Sequence, residues 1–207
     1  MKKNQISKNW INKQRRDIYI RKSKIEGYRS RAVYKLDEIN KKFKIFKNNL
    51  NVIDLGSAPG SWSQFILKNI KNAKLLTIDL KDVAEIENTV HIKGDFTDIK
   101  LQKQIKEYFN NKIDIVLSDM AANTTGNKSL DSIATGELCI EALKFAKEVL
   151  KNNGQFVSKI FMGSNFNEIM SIAKKNFKET YTFKPLSSKK ESKESFLICK
   201  NLILEKK

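Results

Sequence analysis

Apolar positions change period twice along this chain. Between residues 30 and 47 they recur at three- and four-residue steps, at Val33, Leu36, Ile39 and Phe43, which predicts an amphipathic helix capped by Ser30. From residue 51 short apolar runs alternate with helical stretches. The runs predict strands over 51–55, 75–80, 90–93, 113–118 and 154–161, with helices over 61–70, 99–110, 130–152 and 165–177 between and after them. Two closing strands, 179–184 and 195–203, are joined by a Ser/Lys-rich loop. Strands separated by helices imply an α/β fold with a mostly parallel sheet covered on both faces. The missing helix between the last two strands implies one antiparallel pair at an edge. The expectation is therefore a seven-stranded, mostly parallel sheet with one antiparallel edge strand. No repeat and no Gly/Ser linker divides the chain, and its two prolines are Pro59 and Pro185. Residues 1–29 read as a basic N-terminal arm and 30–207 as a single domain.

Charge sharpens this picture. Lys and Arg number 40 against 23 Asp and Glu, a formal net charge of +17 on 207 residues. A field of that sign suits a polyanionic partner, nucleic acid first, although an AT-rich genome gives a similar Lys, Asn and Ile bias. In the arm Lys13, Arg15, Arg16, Arg21, Lys22, Lys24 and Arg29 interleave with Trp10 and Tyr19, aromatics suited to stack on bases or to pack onto the domain. The two cysteines, Cys139 and Cys199, have no metal-ligand spacing and suggest a reducing compartment. With no apolar run near a membrane span and no secretory signal at the start, the expectation is a cytoplasmic monomer without membrane association.

The polar residues gather at predicted strand ends, where ligands of parallel α/β sheets bind. The first strand runs into Asp54, Gly56, Pro59 and Gly60 and then a helix. This junction lacks both the dinucleotide fingerprint and the phosphate loop, and it fits a nucleoside-type cofactor. Asp79 ends the second strand, a position suited to ribose hydroxyls, and Asp95 follows the third. Trp62, inside the glycine segment, is suited either to the core or to flanking the cofactor. Asp119 follows the fourth strand in Ser118-Asp-Met-Ala121. Lys159 lies inside the apolar fifth strand, where a charge is costly unless paired or functional. Periodicity alone makes Lys35 a solvated helix residue.

Six ordered segments carry a resemblance. They are Glu26-Gly-Tyr-Arg-Ser-Arg-Ala-Val-Tyr-Lys-Leu36, Asp54 to Gln64, Gly94-Asp-Phe96, Ser118-Asp-Met-Ala121, Phe156-Val-Ser-Lys-Ile-Phe-Met-Gly163 and Lys184 to Phe196. In them the chain resembles the FtsJ/RrmJ (RlmE) family of ribosomal RNA large-subunit 2′-O-methyltransferases. The resemblance implies a Rossmann-like class I methyltransferase fold with helices on both faces of the sheet. It implies S-adenosyl-L-methionine as cofactor and a Lys–Asp–Lys–Glu tetrad at Lys35, Asp119, Lys159 and Glu194, with Glu191 competing for the last place. It places cofactor contacts at Gly60, Trp62, Asp79, Asp95 and Asp119, beside Gly56 of the same loop. Its implied substrate is a uridine in the A-loop of 23S ribosomal RNA on the assembled 50S subunit. Departures include Ser61, in place of a second glycine and expected to add bulk near the cofactor, and Ala122, in place of a frequent proline. Lysines also replace arginines in the closing loop, which loses bidentate phosphate geometry. The alternatives are a related enzyme acting on tRNA or an mRNA cap, a non-catalytic assembly factor, and a small-molecule methyltransferase, which the charge disfavours.

Overall fold

The structure, a computed structural model, describes residues 17–110, 113–122, 125–163 and 165–203; Trp10 and the first cations of the arm lie outside these. The sheet has seven strands: β1 (Asn51–Leu55), β2 (Lys74–Asp79), β3 (Thr89–Lys93), β4 (Ile113–Ser118), β5 (Leu150–Phe161), β6 (Phe177–Phe183) and β7 (Glu194–Leu202). Their spatial order is β3-β2-β1-β4-β5-β7-β6. Strands β1 to β5 pair in parallel, whereas β7 runs antiparallel to both β5 and β6. The expected antiparallel pair thus closes one edge, with the reversed strand one place in from it. Among the described residues six helices follow in chain order: α1 (Ile18–Ile25), α2 (Val33–Phe43), α3 (Ser61–Asn69), α4 (Ile99–Phe109), α5 (Lys128–Val149) and α6 (Phe166–Asn176).

Alternation along the strands builds two cores. Ile53, Leu55, Ile78, Val116 and Phe156 pack with α4, α5 and α6 on one face. Val52, Leu75, Ile115, Leu117 and Val157 pack with α2 and α3 on the other. A two-residue period buried on both sides is what a covered parallel sheet requires.

Three regions differ from the sequence expectation by more than two residues. Residues 17–29, expected as part of a loose arm, contain α1. Asp17 caps it, accepting from Tyr19 N at 3.0 Å and Ile20 N at 3.4 Å, and the Asp17 carboxylate pairs with Arg31. Tyr19 lies against Tyr34, ring centroids 5.5 Å apart, so it packs onto the domain. Helix α2 spans 33–43 rather than 30–47. Its N-cap is Ala32, Ser30 reaches only the Ala32 N–H at 3.3 Å, and Lys44 ends the helix in a left-handed conformation. Residues 150–152, expected to finish a helix, begin β5. Leu150 turns extended and pairs with Ile113, and the register then shifts so that Ile115 faces Gln155.

Candidate active site

The glycine segment forms the β1–α3 turn. Gly56 (φ +72°) and Gly60 (φ +102°) both occupy the left-handed region. A Cβ at Gly56 would lie 2.8 Å from the Met120 backbone, so the turn closes directly against the residue after Asp119. At Gly60 the neighbour is Arg29. Its guanidinium donates to the carbonyls of Pro59 (3.1 Å), Ala84 (2.8 Å) and Glu85 (2.8 Å), which ties the loop after β2 to the glycine turn.

Two residues of this turn are settled by the structure. The Trp62 indole, suited by sequence to the core or to the cofactor, is core: it is 3% exposed and packs between α2 and α3 against Phe196, centroids 5.8 Å apart. Its N–H donates to the Ala32 carbonyl at 2.8 Å, so the ring anchors the start of α2. What the residue leaves for a ligand is its backbone N–H in the first turn of α3, which has no intrahelical acceptor. Ser61, expected to crowd the cofactor, is buried with its hydroxyl 2.8 Å from Ser30 Oγ.

The carboxylates at strand ends are distinct. Asp79 accepts from Ala58 N (2.9 Å) through one oxygen and Lys81 N (2.8 Å) through the other. A carboxylate has about four acceptor positions, so hydroxyl donors can still be received. Asp95 is exposed, and its Oδ1 accepts from the Thr97 N–H and hydroxyl at 2.9 and 2.7 Å. Asp54 lies beneath the turn and is fully buried. Its Oδ2 accepts from Ser63 Oγ at 2.7 Å while Oδ1 has no partner. Burial, aided by the charges of Asp119 and Asp79, pushes its pKa up to about 7 against the opposing Ser63 hydrogen bond. Between about pH 4 and about pH 7 the unfolded chain therefore loses this proton while the folded one keeps it, and stability falls as pH rises. Asp54→Asn should flatten that slope in denaturant melts taken across the interval; an unchanged slope would show that Asp54 does not titrate there.

The four residues of the expected tetrad come together at the carboxyl edge of the sheet. Lys159 occupies β5 opposite Phe196 of β7, on the α2 side of the sheet. It is 8% exposed, its Nζ donates to the Asp119 backbone carbonyl at 2.6 Å, and it lies 3.1 Å from Asp119 Oδ1. Lys35 projects from α2 and pairs with Glu194 Oε2 at 2.8 Å, over the Phe196 ring at 5.7 Å. Glu194, rather than Glu191, meets Lys35, and Ser188 Oγ donates to its other oxygen at 2.8 Å. Burial works against the Lys35 charge, but the carboxylates of Asp119 and Glu194 outweigh it and raise the pKa. Burial likewise works to neutralise Asp119, yet Lys159 and Lys35 outweigh it and hold the carboxyl below its ordinary range. Asp119 itself is placed by the sheet, its N–H donating to the Leu55 carbonyl at 3.1 Å.

Glu38 was not anticipated. One turn beyond Lys35, it accepts from the backbone N–H groups of Leu186 (2.5 Å, to Oε2) and Ser187 (2.9 Å, to Oε1). Arg31 donates to the Ser187 carbonyl, so α2 and its approach pin the loop between β6 and β7 near its start. Removal of the carboxylate would leave the amide of the buried Ser187 unsatisfied, whereas that of the exposed Leu186 can turn to water. Glu38→Ala should lower stability by about 1–3 kcal/mol and raise the KM for the methyl acceptor while leaving cofactor affinity unchanged, as read by thermal melts and steady-state kinetics.

Among the described residues no group of three His, Cys, Asp or Glu side chains converges to hold a metal, and no helix is long and apolar enough to cross a membrane. Cys139 and Cys199 are both free and buried.

A seven-stranded sheet reversed only at β7, a glycine turn after β1, carboxylates at the next two strand ends and two crossed lysine–carboxylate pairs define a Rossmann-like methyltransferase. The chain belongs to the FtsJ-like methyltransferase family, whose model matches residues 28–202. It is 63% identical over 202 residues to the ribosomal RNA large subunit methyltransferase E of Pelagibacter ubique, covering 98% of this chain and all of that one. With the protein of the same description from Rickettsia akari the identity is 45% over 201 residues, 94% of this chain and 88% of the relative. Among solved structures, one described as a ribosomal RNA methyltransferase from Plasmodium falciparum superposes with a TM-score of 0.77 at 34% identity, over 86% of this chain and 100% of that one.

Proposed function

We propose that this protein transfers a methyl group from S-adenosyl-L-methionine to the 2′-hydroxyl of a uridine in large-subunit ribosomal RNA, in the A-loop of the assembled 50S subunit. The observation that carries the reading is the pairing of Lys159 with Asp119 and of Lys35 with Glu194 beside the glycine turn. The similarity to large-subunit methyltransferases supports the choice of RNA, as does the net charge of +17.

The residues present fit the cofactor. The turn at Gly56 and Gly60 brings backbone close, the orphaned Asp54 Oδ1 lies beneath it, and Asp79 and Asp95 offer acceptors suited to a ribose and an adenine amino group. Asp119 completes the wall. When bound, the cofactor supplies an electrophilic methyl on a sulfonium.

This chain's residues supply position and charge. An ammonium has three donors; Lys159 gives one to the Asp119 carbonyl and pairs its charge with the Asp119 carboxylate at 3.1 Å. A donor left over holds the 2′-oxygen, orients a lone pair in line with the methyl and stabilises negative charge as the hydroxyl proton leaves to solvent. Glu194 and Asp119 keep Lys35 charged beside it, which adds to the positive field at that oxygen. The test is incubation with labelled S-adenosylmethionine and separate pools of large subunits, naked ribosomal RNA and tRNA, followed by mapping of the modified ribose. Label on a large-subunit uridine is the expected result. Label confined to tRNA, or none in any pool, overturns the reading.

A further inference from the structure

Three clefts run into one another along the loop that precedes β7. The first, about 630 Å³, lies between α1 and that loop and is lined by Lys24, Tyr28, Arg31, Leu186, Lys189 and Lys190 among others. The second, about 300 Å³, holds Lys35 and Glu194. It shares Ser30, Arg31 and Lys189 with the first. The third, about 560 Å³, lies beyond the ends of β4 and β5 and shares Ser192 with the second. Its walls are Ala121, Ala122, Phe161 and Met162, with the hydroxyls of Ser129 and Ser132.

The chemistry changes along this path. At one end Lys24, Lys189 and Lys190 are exposed cations; of the two acids there Asp17 is paired with Arg31, and Glu191 leaves the cations in the majority. At the other the lining is mostly apolar with a hydroxyl rim, interrupted by the charged Asp131, Glu191 and Lys193, and Met162 is 44% exposed. An unpaired nucleic-acid strand has this same alternation, an anionic backbone carrying planar apolar bases whose edges bear hydrogen-bonding groups. A duplex keeps its bases stacked and could offer the apolar cleft nothing.

Resting on the function proposed above, we infer that the three clefts form one trough for consecutive nucleotides of an unpaired RNA strand. The acceptor ribose lies in the central cleft at Lys35 and Glu194. The backbone on one side runs past Lys24, Lys189 and Lys190, and a neighbouring base on the other side is splayed into the cleft at Ala121, Ala122 and Met162. The loop from Leu186 to Lys193 edges the trough along its whole length.

The probe is a fluorescent six-nucleotide oligouridylate, with the same strand annealed to its complement as the comparison, titrated into the full chain at several salt concentrations. The paired Lys189→Ala, Lys190→Ala variant should weaken binding and reduce the slope of log affinity against log salt by about 1.4, the value for two phosphate contacts on a single strand. Met162→Gln, nearly isosteric and neutral, should weaken binding about five- to tenfold with the slope unchanged, the lower part of the range for one stacked base. The duplex should bind more weakly and ignore Met162→Gln. Binding of S-adenosylhomocysteine should be the same in all three proteins. If both variants bind the single strand as the unmodified protein does, the trough is not the strand site, although methylation of large subunits would still stand. A loss confined to the lysine pair overturns the base cleft. If the unmodified protein binds no single strand even at low salt, the trough falls, whereas the function stands or falls by the labelling of large subunits.

Discussion

Replacement of Lys159 by alanine should reduce methyl transfer by a factor of about 10²–10⁴ without weakening cofactor binding. Lys159 Nζ is the donor that the sheet aims past Asp119, and no other described side chain donates to the Asp119 carbonyl. The glycine turn, Asp79 and Asp95 make no hydrogen bond to Lys159, so the surface that receives the cofactor is left intact. The Asp119 charge would keep Lys35 as a counterion, which limits the damage to the fold. Calorimetric binding of S-adenosylhomocysteine and single-turnover transfer to large subunits separate the two effects. Transfer within a factor of about three of normal would remove Lys159 from the chemistry.

Gly56→Ala should be nearly as damaging, by another route. The new methyl group meets the Met120 N and Cα at 2.8 Å, and the backbone must hold φ +72° with a side chain present. The conformation alone costs about 1–2 kcal/mol, and the contact is with backbone that cannot swing aside. Met120 can move only by carrying Asp119 with it, which displaces both the carboxylate and the carbonyl that hold Lys159. One methyl group should therefore lower melting temperature, cofactor affinity and turnover together. Gly27→Ala is the control. Its φ of +74° is as unusual, but nothing lies within 4 Å, so only the backbone cost remains. Equal effects at the two sites would show that the contact with Met120 carries no weight.

The strands were legible because burial on two faces leaves a long apolar run with few alternatives. Helix α1 was hidden by the cations around it, although Asp17 before an Ile-Tyr-Ile run is a cap signal. Lys35 looked solvated because its partner, Glu194, is 159 residues away and is brought near only by the sheet. Glu38 was missed for the same reason, since it serves backbone amides of a distant loop. Ser61 was placed in the correct turn but facing the wrong way, and for Trp62 the sequence left core and cofactor both open. Position in a strand–helix junction fixes where a residue is, whereas the neighbouring helix decides which way it points.

The reversal of β7 has a consequence for how this enzyme can diverge. Glu194 faces Phe161, two residues past Lys159, because β7 begins at the end of the sheet where β5 finishes. Laid parallel, the same nine residues would have left that carboxylate about 25–30 Å away, at the far end of the strand. Strand register thus sets the place of Glu194, while Ser188 and Ser192 of the preceding loop orient it. Outside Leu186, Ser187, Ser188 and Ser192, which Glu38, Arg31 and Glu194 engage, the loop can exchange its lysines while the reaction centre stays where the sheet has put it.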